Sequence, residues 1–110
     1  MKKKVFFDQE LYSKISINDL IVFSMHSIRN RQKECNFEDL VNECFNFFPQ
    51  IFAFSTHPNW PDSRKLDRPL RDLRKKGLIK GGPQARFSLT QKGKKKSLEI
   101  AKTFRQTKLL

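Results

Sequence analysis

The sequence predicts a mainly α-helical fold carrying one small β-hairpin, and three observations predict it. Apolar residues recur at helical spacing in four separate stretches. Between Gly77 and Thr90 the period shortens, and two brief apolar runs flank Gly81-Gly82-Pro83-Gln84. No internal repeat or low-complexity linker divides the chain. Its 110 residues, 37% hydrophobic and with eleven Phe, can bury one modest core despite 31% charged residues. A single domain is expected over 1–110, with an N-terminal extension over 1–15 and the packed core over about 17–105.

The first helix runs from Ile17 to about Asn30 behind a Ser16 cap, with Ile17, Leu20, Ile21, Met25 and Ile28 as its buried stripe. Val22 and Phe23 fall on the opposite face, so either Val5–Phe7 or a partner chain is expected to cover them. A second helix follows the Asn36 cap, with Glu38 and Asp39 in its first turn. Phe37, Leu40, Val41, Cys44 and Phe48 form its stripe, and Pro49 ends it. Residues 49–61 are assigned no regular structure, with Ile51, Ala53 and Phe54 either a short strand or an irregular packed segment.

The third helix is expected from Asp62 to Gly77, with Leu66, Leu70 and Leu73 buried. At about 100° per residue, Arg64, Arg68, Arg71 and Lys75 then share the opposite face. Asp67 with Arg71, and Asp72 with Lys76, are spaced as i,i+4 pairs. An interior Pro69 costs roughly 3 kcal/mol. The helix is therefore either kinked there or begins only near Asp67, with Pro69 in its first turn. Leu78–Lys80 and Arg86–Leu89 are the hairpin strands. Thr90 caps a last helix from about Gln91, with Leu98, Ile100, Ala101 and Phe104 on its buried side. The order is helix, helix, helix, hairpin, helix.

The net charge of +12 is unevenly placed. Residues 1–60 hold seven Lys/Arg against seven Asp/Glu, and residues 61–110 hold sixteen against four, so the whole excess lies in the second part. Charge gathered in this way makes a directed field that attracts a polyanion, nucleic acid first among them.

Leu70-x-x-Leu73-x-x-x-Gly77-Leu78-Ile79, then a hairpin, then Phe87-x-Leu89-Thr90-x-x-Gly93, resembles the winged helix-turn-helix domain of bacterial and archaeal transcriptional regulators, over roughly Asn36 to Phe104. The resemblance implies that Asp62–Lys76 is the recognition helix and that Gly81–Ala85 forms the tip of the wing. It further implies sequence-specific binding of double-stranded DNA by a transcriptional regulator or by the recognition module of a larger assembly. In helix-turn-helix docking the N-terminal part of the recognition helix lies nearest the bases. This makes Ser63, Arg64, Lys65 and Arg68 the expected base-edge contacts. Arg71, Lys75, Lys80 and Arg86 are expected at phosphates or the adjacent minor groove. Gly81, Gly82 and Gln84 complete the wing, the two glycines letting its backbone approach the duplex. About thirteen residues separate the second and third helices, where a helix-turn-helix often uses three or four.

Other chemistries find little support. Lys80-Gly81-Gly82 lacks the Gly-x-x-x-x-Gly-Lys-Ser/Thr order of a phosphate loop, and no nucleophile triad or paired carboxylates stand out, so no enzyme activity and no cofactor are expected. Cys35 and Cys44, nine apart with no Cys or His at ligand spacing, predict reduced, partly buried thiols and no metal site. The apolar run after Lys2–Lys4 stops at Asp8, and Phe45–Phe54 is too broken for a membrane span, so a cytoplasmic protein with no membrane partner is expected.

The alternative function is a winged-helix scaffold for protein–protein contacts within a larger nucleic-acid-processing assembly, with exposed Val22 and Phe23 as its mark. A homodimer through the first and last helices is a further possibility. RNA or single-strand binding requires exposed aromatics beside the cations. Phe87 is the obvious candidate, and its alternation points it inward. Trp60 is expected to anchor the start of the third helix, His26 and His57 to be structural, and the phenylalanines of 45–54 to be core.

Overall fold

A computed structural model describes residues 9–31, 34–82 and 86–109. It is mainly helical with one small two-stranded antiparallel sheet. The central element is α2 (Ile17–Arg31), which starts where the Ser16 hydroxyl accepts from the Asp19 amide at 3.2 Å. It buries Leu20, Ile21, Val22, Ser24, Met25 and Ile28, more than one stripe's worth, because other elements pack around much of its circumference. Ser24 belongs in this core only because its hydroxyl donates to the Leu20 carbonyl at 2.9 Å.

This arrangement corrects the expectation for Val22 and Phe23. Val22 is fully buried, and Phe23 is half-buried against Phe47, Phe48 and Phe104, with ring centroids 6.0, 6.3 and 5.0 Å away. The chain's own later helices supply the cover. Val5–Phe7 lie outside the described residues.

A four-residue helix, α1 (Gln9–Tyr12), precedes α2 and was not predicted, being too short to show a period. It carries Tyr12 into the core, where the ring meets Phe48 edge-on at 5.0 Å and the hydroxyl donates to Gln50 Oε1.

Helix α3 (Phe37–Phe47) starts as expected, with Asn36 Oδ1 accepting from the Asp39 amide at 2.8 Å. Leu40, Cys44 and the following Phe48 are fully buried. Glu43 is buried beside them, which only its partners permit. Its carboxylate accepts from Arg31 at 2.5 and 3.0 Å and from Ser27 Oγ at 2.7 Å, pinning the end of α2 to α3. Pro49 ends α3 and at once opens α4 (Pro49–Phe52), where its missing N–H costs nothing in a first turn. The chain then turns through a loop closed by the Ala53–Pro61 bridge.

Pro69 decides the shape of the third predicted helix. Residues Ser63–Leu66 wind as a 3-10 turn capped by Asp62, whose Oδ1 accepts from the Arg64 amide at 3.1 Å. The α-helix proper, α5, is Asp67–Lys75, which puts Pro69 in its first turn. Of the two readings left open by the sequence, the later start holds, and the reason is the one stated for it: in a first turn no intrahelical bond is lost. The helix closes on Gly77 at φ +72°, with Gly77 N–H donating to Arg74 O at 3.1 Å and Leu78 N–H to Leu73 O at 3.0 Å. This pair of bonds is a Schellman cap, which needs a left-handed residue at that position.

Strands β1 (Ile79–Lys80) and β2 (Ser88–Leu89) pair Ile79 with Leu89 and Lys80 with Ser88. On the other side of the hairpin, Phe87 bridges to Cys35, its amide donating to the Cys35 carbonyl at 2.8 Å. The segment before α3 therefore extends the sheet by one residue.

Helix α6 (Gln91–Leu109) begins at Thr90, whose Oγ1 accepts from Gly93 N–H at 3.1 Å and donates back to the carbonyls closing α5. Gly93 is required there: a Cβ would stand 2.0 Å from the Leu78 carbonyl oxygen. The buried face is Gly93, Ser97, Ile100 and Phe104, spaced four, three and four apart. Leu98, expected inside, is 55% exposed. Spacing outweighs hydrophobicity here, because two small residues let α6 lie close where a leucine would not fit. Helices α2 and α6 bury apolar surface against each other, Phe23 meeting Phe104. Among the described residues, no helix is long and apolar enough to cross a membrane.

Candidate nucleic-acid interface

Helix α5 is two-sided. Leu70 and Leu73 are buried together with Leu66 of the preceding turn, whereas Arg68, Arg71, Arg74 and Lys75 are exposed. The apolar side fixes the helix to α2, and this anchorage holds the cationic side in a defined direction. The expected pairs Asp67–Arg71 and Asp72–Lys76 do not close within 4 Å; the ion pairs among the described residues lie elsewhere. No ion pair with the helix's own carboxylates therefore holds the arginines of α5. Asp67, Leu70, Arg71 and Arg74 line a shallow depression of about 230 Å³ on this surface.

The hairpin is fastened beside that surface. Arg74 Nη1 donates to the Gly81 carbonyl at 3.0 Å, joining the end of α5 to the turn that follows β1. Gly81 has φ +98°, and a Cβ there would lie 2.0 Å from the Arg86 carbonyl oxygen. Its glycine is therefore demanded by the crossing of the hairpin's own backbone, which is a different reason from the approach to a duplex expected of it. Gly82 is half-buried with the Arg74 guanidinium close by. Lys80 is exposed on β1. Gln84 lies outside the described residues, as do Pro83 and Ala85 of the expected wing tip.

The remaining predicted residues divide. Ser63 is exposed on the 3-10 turn. Arg64 has a side chain 74% exposed but already engaged: its Nε and Nη2 donate to Asp62 at 3.1 and 3.3 Å, and its guanidinium stands 5.0 Å over the Phe54 ring. Hydrogen bonds from Arg64 hold the Asp62 carboxyl below the usual carboxylate range. Lys65 turns away from the surface, with Nζ donating to the Ile51 and Ala53 carbonyls at 3.0 and 2.8 Å. Those two carbonyls lie at the end of α4 and the start of the loop, and no other described donor is so placed, so the ammonium ties that loop to the helix. Arg86 pairs with Glu34 at 2.5 Å, both side chains 61% exposed; a pair so open to water contributes little and yields readily to a stronger anion.

One residue escaped the sequence reading, and a second stands otherwise than it expects. Arg74 sits nearer the leucine side of the helical wheel, and only the hairpin's position reveals its use. Trp60, expected as an anchor, is 56% exposed. It stacks on His57 at 4.2 Å and 30°, and meets Phe54 edge-on at 6.5 Å. A second basic area, with Arg29 and Lys94 beside His26, lines a cleft of about 360 Å³ between α2, β2 and α6. Within α6, Lys92 Nζ donates to the Lys76 carbonyl at 3.3 Å and Lys96 approaches Asp19 at 3.8 Å, so two lysines of its first two turns are engaged within the fold.

No family model matches the chain, and neither a curated protein nor a solved structure does.

Proposed function

We propose that this chain is a winged-helix domain that binds double-stranded DNA in a sequence-specific manner, as a cytoplasmic transcriptional regulator or as the recognition module of a larger assembly. One observation carries the reading. Arg68, Arg71 and Lys75 project from a helix anchored by Leu66, Leu70 and Leu73, and a hairpin is fastened alongside through Arg74 and Gly81. A rigid cationic helix with an adjacent ribbon suits the major groove and the neighbouring backbone. The Cys35–Phe87 bridge supports it further, since it ties the hairpin to the segment before α3 and so fixes the ribbon against the helices.

In this reading Arg68 is the foremost base-edge contact, being in the first turn of α5 and free of carboxylate partners closer than 4 Å. Ser63 and Arg64 approach from the preceding turn, and Arg64 must leave Asp62 to reach a base. Arg71, Arg74, Lys75 and Lys80 hold phosphates. The scaffold alternative loses its specific mark, because Val22 and Phe23 are covered from within.

Selection from random duplexes, followed by binding assays on variants, tests the proposal. The Arg68→Ala variant is expected to relax preference at one or two base pairs, at roughly 1–3 kcal/mol of discrimination. Lys75→Ala is expected to weaken all duplexes alike. Selection that yields no enriched sequence would refute the base-reading role.

A further inference from the structure

Trp60 sits where a folded chain seldom leaves such a residue. It is the only tryptophan of the protein. More than half of it faces solvent, yet its position is fixed. The loop that carries it is closed by backbone bonds: Phe54 N–H to Trp60 O at 3.0 Å, Trp60 N–H to His57 O at 3.0 Å and Asp62 N–H to Phe52 O at 2.7 Å. His57 covers one face of the indole at 4.2 Å, and Phe54 braces its edge. Lys65 holds the root of the same loop through the Ile51 and Ala53 carbonyls. The result is an aromatic surface backed on one side and open on the other.

Cations border it. Arg64 lies over Phe54 at 5.0 Å within the same cluster, and Arg68 is exposed on the first turn of the helix that follows. Exposed aromatics beside cations are what a single strand requires: bases stack on the ring while the cations take the backbone. A duplex interior cannot use such a surface, because its bases are already stacked.

We propose that Trp60, backed by His57, is a stacking platform for an unpaired nucleobase, and that on such a ligand Arg64 leaves Asp62 for the phosphate beside that base instead of a duplex base edge. This rests on the DNA-binding reading and deepens it. The preferred ligand is a duplex flanked by a short single-stranded segment, with the duplex on α5 and the unpaired base on the loop. The long connection between α3 and α5 then has a use of its own.

The test uses the full chain with two labelled DNAs, a blunt duplex and the same duplex extended by a three-nucleotide overhang, together with the overhang strand alone. DNA anisotropy reads binding, and the emission of Trp60 reads stacking. The extended duplex is expected to bind roughly 5- to 150-fold more tightly than the blunt one. It should quench the indole strongly, whereas the blunt duplex should not. Trp60→Ala is expected to abolish the difference while leaving blunt-duplex binding intact, and Trp60→Phe to restore part of it. A thermal melt of each variant establishes that it folds.

Equal affinity for both duplexes with unchanged emission overturns the platform and leaves the duplex reading standing. Binding and quenching by single strand with no binding of blunt duplex supports the platform and overturns the duplex reading. Absence of binding by every DNA overturns both.

Discussion

The salt dependence expected of the proposed DNA binding follows from which cations the fold leaves uncommitted. Of the basic residues on and around α5, Lys65 is bound to two backbone carbonyls, Arg64 to Asp62 and Arg86 to Glu34. Arg68, Arg71, Arg74, Lys75 and Lys80 remain exposed, and only Arg74 among them spends a donor, on Gly81. The four assigned to phosphates, Arg71, Arg74, Lys75 and Lys80, give a slope of log K against log[salt] of about −3.6, or a loss of about 150-fold between 50 and 200 mM salt. Lys75→Ala and Arg71→Ala should each bring the slope toward zero by about 0.9. Lys65→Ala should leave the slope where it is and lower thermal stability instead, because it frees two carbonyls at the end of α4. Fluorescence anisotropy of a labelled duplex across four salt concentrations measures the slopes, and a thermal melt measures the stability of the Lys65 variant. A slope shallower than about −2, or one that responds to Lys65 as strongly as to Lys75, would refute the assignment of these cations to phosphates.

Two further expectations concern the framework that aims the interface. Gly93→Ala sets a methyl group against the Leu78 carbonyl and should cost about 1–3 kcal/mol in a denaturant melt, with a matching loss of duplex affinity as α6 pushes the hairpin away. Burial pushes the thiols of Cys35 and Cys44 up to about 12, so the folded chain keeps both protons where the unfolded chain releases them. Stability is therefore complete below about pH 8.5 and should fall as pH rises from there toward 12, by up to about 1.4 kcal/mol per pH unit for each thiol. Denaturant midpoints at pH 8 and pH 10 measure the loss, and equal midpoints would contradict the burial.

Much of this architecture was legible because local chemistry and packing agree. Asn36 and Ser16 cap the helices they precede, Gly77 closes α5, and Thr90 opens α6, each through a bond that the residue type predicts. Legibility failed where one position answers to two constraints. Leu98 was placed inside because it is apolar, but the close crossing of α6 selects Gly93 and Ser97 for the buried face. Val22 and Phe23 looked like surplus hydrophobicity because a single sequence does not reveal that α2 is surrounded. Lys65 and Arg64 share the basic run with Arg68, and only the long loop between α4 and α5, whose path no periodicity encodes, determines that one turns inward and the other meets a carboxylate.

That loop also bears on how α5 could enter a groove. In a short helix-turn-helix connection, the residues before the recognition helix are a tight turn with little surface of their own. Here they form a braced projection, with Asp62 and Lys65 tying its two ends to the 3-10 turn and Trp60 at its outer side. The 3-10 turn and α5 share this support, so in the proposed complex the projection would stand next to the first turn of α5, at the end of the bound duplex rather than within it. Shortening the loop would therefore do more than remove an aromatic contact: it would release Lys65 and the Asp62 cap together, and the direction of Arg68 with them. Substitution of Trp60 alone separates these effects, since the backbone bonds that close the loop remain when the indole is gone.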